Sequence, residues 1–279
     1  MSYKTILAIL DTPHSAGLIA DVAIDLAATF EAHLIGLHSE AMMMVPVSAP
    51  MEMPDPVAIQ AMQDLAHSET EKVEQIFRER CRLSDTSHDW RSFVTSGGYG
   101  SDALKASARC ADLIVAAQSD SSLSDSRSDL DAFLFESGRP VLLVPHVFKA
   151  PKPIRRAMIA WNGSREATRA TFDALPLLQR CDSVEIFCVD PPDNRHQSAD
   201  AAGAELAATL ARHGLNVTVA MQETKGKSAA NVIENRLSDS SIDLLVMGAY
   251  GHRPWWETLF GGATHTLLQS MTALTLLSR

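Results

Sequence analysis

At 279 residues the chain is longer than one average domain, and a prior of about 150 residues per domain predicts two. Its 46% hydrophobic content is ordinary for a folded protein and excludes wholesale disorder. A formal net charge of −10 argues against nucleic acid as a main partner, and no run of about 18 apolar residues offers a membrane span. The start, Met1-Ser2-Tyr3-Lys4-Thr5, leads straight into an apolar run and carries no secretory signal, so a cytoplasmic protein is expected. Cys81, Cys110, Cys181 and Cys188 show no C-x-x-C spacing and read as buried free thiols in a reducing cytosol. Without secretion, the glycosylation-like triplets at Asn162 and Asn216 are chance matches.

In chain order, Ile6–Leu10 predicts a buried strand, closed by Asp11-Thr12-Pro13. Leu18, Ile19, Val22, Ala23, Leu26 and Phe30 then recur at helical spacing. His33–His38 reads as a second strand, Asp112–Ala117 and Pro140–Val144 as later ones. The same order begins again at Ala157–Trp161, closed by Asn162-Gly163-Ser164. A helical pattern through Ala167, Ala170, Phe172, Leu175 and Leu178 follows, then strands at Val184–Val189, Asp243–Gly248 and Ala273–Leu277. Strands alternating with helices predict right-handed βαβ units and a parallel sheet. The chain therefore reads as two copies of one α/β unit, over 1–148 and 154–279, joined by the proline-rich stretch 146–153. The first copy is about 20 residues longer, and the Met- and Pro-rich stretch 41–56 is the expected insertion. Charge divides unevenly, with a net of −11 over 1–148 and +1 over 149–279, so the second copy is the less hostile to an anion.

In open α/β sheets, ligands bind beyond the carboxyl ends of the strands. After the fourth strand of the second copy stand Gly248-Ala-Tyr250-Gly251, nine residues, then Gly261-Gly262-Ala263-Thr264. Glycines allow close backbone approach, and a helix starting near Gly262 would aim N–H groups at an anion, with Thr264 and Arg253 as further donors. A second reading stays open, in which these glycines only shape a strand-to-helix loop.

This G-x2-G-x9-G pattern, with the segment Ala160-Trp161-Asn162-Gly-Ser-Arg-Glu-Ala167 and the duplication, resembles the universal stress protein family over essentially the whole chain. The resemblance implies two tandem Rossmann-like domains, each an open five-stranded parallel sheet with helices on both faces. It implies an ATP-type site in the second domain lined by Ala160, Trp161, Asn162, Val189, Met247, Gly248, Tyr250, Gly251, Gly261, Gly262, Ala263 and Thr264, with Arg253 nearby. The cofactor would be ATP or ADP, with magnesium. The partners implied are an adenine nucleotide, neither nucleic acid nor membrane, and an internal pseudo-dimer, a homodimer of tandem chains being a further arrangement. Three departures stand out: Gly262 where the family carries Ser or Thr, Asn162 where it usually carries Asp, and the bulky Trp161. The function implied is regulation or binding in the stress response, without turnover. A nucleotide-free interaction protein and a slow ATPase are the alternatives, the latter without an evident general base.

The first copy has no such loop. Its stretch 117–131 lacks glycine and carries Asp120, Asp125, Asp129 and Asp131. Ser96-Gly-Gly-Tyr-Gly-Ser-Asp102 resembles the phosphate loop of ATP pyrophosphatases, but it follows the third strand and has one residue too many, so it reads as a turn. His252 and His265 flank the second copy's glycine loop, Trp255-Trp256 lies within it, and Met42-Met-Met44 reads as packing or a contact surface. No histidine spacing suggests a metal.

Overall fold

The computed structural model describes residues 2–41, 55–95, 102–118, 136–191, 201, 203–249 and 271–279. The chain divides into two compact units, one built on Tyr3–Ala117, the other on Pro140–Arg279.

The first unit runs β1 (Thr5–Ile9), α1 (Pro13–Phe30), β2 (His33–Ala41), α2 (Pro56–Leu83), β3 (His88–Thr95), α3 (Asp102–Arg109) and β4 (Leu113–Ala117). Its strands lie in the order β3-β2-β1-β4, all parallel. Helix α1 starts where Thr12 accepts a hydrogen bond from Ser15 N–H and Pro13 supplies a preset φ. Ile19, Val22, Ala23, Leu26 and Phe30 are buried as the spacing predicts. Gly36 of β2 is needed for close packing: a Cβ there would lie 2.8 Å from Phe77 of α2 and 2.9 Å from Trp90 of β3.

The second unit opens with β5 (Val141–Val144). It continues through β6 (Arg156–Ala160), α4 (Arg165–Asp173), α5 (Leu175–Leu178), β7 (Ser183–Val189), α6 (Ala204–Arg212), β8 (Val217–Gln222), α7 (Ala229–Asp239), β9 (Leu244–Gly248) and β10 (Leu274–Ser278). Five strands run parallel in the order β10-β9-β6-β7-β8. Strand β5 closes the first copy in sequence but belongs by contact to this unit. It pairs antiparallel with β10, Val141 opposite Leu277 and Leu143 opposite Thr275. Strand β5 is wholly apolar, β10 buries Thr275 and Ser278 beside its three leucines, and the pairing satisfies backbone groups that a bare sheet edge would leave open.

Both units repeat one device at the strand entry. Asp112 Oδ2 accepts from Lys4 and Thr5 N–H at 2.8 and 3.0 Å. Asp243 Oδ2 accepts from Arg155 and Arg156 N–H at 3.0 and 2.9 Å. In each case the residue before the fourth strand ties down the start of the first.

The extra length of the first copy is not where the sequence placed it. The connections around the second helix match in length: 42–55 and 190–203 before it, 84–87 and 213–216 after it. The helix itself differs, with 28 residues in α2 against 9 in α6. The Met- and Pro-rich composition of 41–56 suggested an insertion, but a helix can lengthen without any composition break. The second helical pattern also splits. Pro176 has no N–H to continue α4, so Leu175–Leu178 forms a separate turn, and Phe172 is 42% exposed while Thr171 is buried instead.

Candidate functional site

In the second unit β6 is the topological switch point: chain order runs from it to β7 and β8 on one side, and β9 and β10 lie on the other. Crevices beyond the carboxyl ends of strands at such a point are where open α/β sheets bind ligands. Register places Ala160 beside Phe187 on β7 and Met247 on β9. Side chains alternate along a strand, so Ala160, Val189 and Met247 share one face at three adjacent strand ends. Met247 is buried, and Ala160 and Val189 are half-buried. Together they make an apolar floor. On the same face Arg236 of α7 forks onto Glu185 at 2.9 and 2.5 Å and lies 5.7 Å over the Phe187 ring. Its hydrogen bond to Glu185 holds its pKa above the usual guanidinium value, so it stands as a fixed cation.

Trp161 follows Ala160 and donates its N–H to Phe187 O at 2.9 Å. It falls on the alternate register position, with Gly248. A Cβ on Gly248 would lie 2.5 Å from Ala167 N and from the Glu166 carbonyl carbon, so the first turn of α4 sits in the space this glycine leaves. Gly248 therefore serves helix–strand packing, whatever the crevice holds.

The turn between β6 and α4 is built by side chains. Asn162 Oδ1 accepts from Ser164 N–H at 3.1 Å, which leaves the exposed amide's Nδ2 as the outward donor. Gly163 takes φ +71°, a conformation that favours glycine. Ser164 caps the helix, its Oγ accepting from Ala167 N–H at 3.1 Å. Beyond β7, Asp190 adopts φ +43° and its carboxylate accepts from Thr224 N–H at 2.9 Å and Thr224 Oγ1 at 2.7 Å, latching the ends of β7 and β8. Sequence reading missed Asp190. The Ser164 cap was legible from Asn-Gly-Ser before an apolar pattern, but a positive φ at an aspartate leaves no such signature.

Of the predicted site residues, Ala160, Trp161, Asn162, Val189, Met247 and Gly248 come together at these strand ends. Tyr250, Gly251, Arg253, Gly261, Gly262, Ala263 and Thr264 lie outside the described residues, as do His252, His265, Trp255 and Trp256. So do Met42–Met44, 119–131 of the acidic stretch and 96–101 of the Ser96 turn. Among the described residues no cluster of three His, Cys, Asp or Glu is suited to a metal, and no helix is long and apolar enough to cross a membrane.

The corresponding place in the first unit is built differently. Leu37 pairs with Ile9 as Phe187 does with Ala160, so His38 occupies the position of Cys188. The His38 ring is buried, and its Nδ1 donates to Leu10 O at 2.6 Å. Ser39, in the place of Val189, is buried with its hydroxyl 2.8 Å from that of Thr95. Where the second unit has apolar Val189, the first has a hydroxyl pair.

No family model matches the chain, and no curated protein matches it. Solved structures do. A universal stress protein from Archaeoglobus fulgidus DSM 4304 is 12% identical, with a TM-score of 0.67 over 98% of this chain and 96% of that one. A provisionally assigned universal stress protein from Pseudomonas aeruginosa UCBPP-PA14 is 15% identical, with a TM-score of 0.59 over 99% and 93%. A functionally unknown protein from Pseudomonas aeruginosa PAO1 is 14% identical, with a TM-score of 0.59 over 99% and 92%. With α/β repeats, parallel sheets and near-complete coverage of these chains, the protein has the fold of the universal stress proteins.

Proposed function

We propose that this protein is a cytoplasmic member of the universal stress protein family that binds an ATP-type nucleotide, with magnesium, in its second unit, and acts by regulation rather than turnover. The observation that carries the reading is the apolar floor of Ala160, Val189 and Met247 at the switch point, whose Met247 directly precedes the G-x2-G-x9-G sequence. An apolar floor suits a base, and glycine-rich backbone suits phosphates. Asn162 adds a neutral donor where the family usually carries a carboxylate. By fold analogy the same residues would contact the nucleotide, with Tyr250, Gly251, Arg253 and Gly261–Thr264 on its phosphate side.

One observation favours a second reading, a nucleotide-free interaction protein of the same fold. The packing of α4 requires Gly248 without any ligand, so the first glycine of the pattern is explained by structure alone.

Thermal melting with and without millimolar Mg-ATP separates the two, run on wild type and Gly261→Val. A β-branched side chain at 261 blocks close approach to phosphate. Losing two or three charge-assisted hydrogen bonds, each about 1.5–3 kcal/mol, weakens binding at least about 100-fold. A wild-type shift that vanishes in the folded variant supports the nucleotide site. No wild-type shift, or a full shift in the variant, overturns it. Denaturing mass spectrometry of freshly purified protein gives a direct second test, since bound ATP or ADP would be carried along.

A further inference from the structure

We draw no further inference here: the strongest candidate, the apolar stripe of Ala58, Ala61, Met62 and Leu65 on the exposed amino-terminal half of α2, carries nothing because no described residue shows what covers it.

Discussion

Gly248 shows how one residue can satisfy two explanations. Its missing side chain makes room for the first turn of α4, so its replacement is first a packing fault. Gly248→Ala forces a Cβ against backbone atoms at 2.5 Å, which cannot rotate away as a side chain would. We expect a loss of about 2–3 kcal/mol, read as a lowered urea midpoint with an unchanged slope. An unperturbed midpoint would show that α4 can shift freely, against the tight fit described. The thiols give a second residue-level prediction. Burial raises Cys81 and Cys188 to about 11 and Cys181 to about 12, whereas Cys110 is exposed. Thiolate is the reactive form, so a maleimide or disulfide reagent at pH 8 should label Cys110 first, half-buried Cys181 more slowly, and buried Cys81 and Cys188 only when the protein unfolds. The sign for stability follows. An unfolded thiol ionises near 8.5–9, a buried one two or more units higher, so the folded state holds its protons longer. Their contribution is fully present below about pH 8.5 and is lost as pH rises through 11. Rapid labelling of all four thiols in the folded protein would contradict the burial.

At the scale of elements, the paired Asp112 and Asp243 clamps are what duplication predicts: one solution to strand entry, used twice. Each carboxylate oxygen satisfies two backbone N–H groups that would otherwise depend on water. Asp112→Ala and Asp243→Ala should each destabilise the protein by about 1–2 kcal/mol, given that these bonds lie near solvent. Equilibrium denaturation of the two variants checks this, and a neutral result in either would show that water replaces the clamp at no cost. The alternation of strands and helices was legible because buried parallel strands write themselves as short apolar runs. Edge strands do not. In β8 every residue is half or fully exposed, and in β3 His88, Asp89 and Arg91 interrupt the pattern, so a third strand in each copy was expected from the order of elements but not bounded from its residues. The long α2 escaped for a related reason, since only Thr70, Val73, Phe77 and Cys81 are buried along 28 residues. Of the site, the fold rule pointed to the carboxyl ends of the strands, and the family resemblance supplied the individual residues there. The pleat face of Trp161 and Gly248 was not legible, because it depends on register that sequence does not print.

For the whole molecule, the two units share a fold yet present different chemistry at the same topological point, and this sets the expected stoichiometry. In the first unit the ring of His38 engages the strand-end carbonyl of Leu10, and a buried Ser39–Thr95 hydroxyl pair stands where the second unit has Val189. The first copy also carries a net of −11 and a glycine-free, Asp-rich stretch over 117–131, against +1 for the second copy. The first copy's sequence offers phosphates no glycine-rich stretch to receive them, and the net negative field of that half would add to the cost. A nucleotide with three or four negative charges should therefore bind once per chain. Titration calorimetry with Mg-ATP should give about one site, with affinity that falls as salt is raised. The Gly261→Val variant should lose that site without uncovering another. A stoichiometry near two would place nucleotide in the first unit as well, and one site that survives in Gly261→Val would overturn the assignment to the glycine loop.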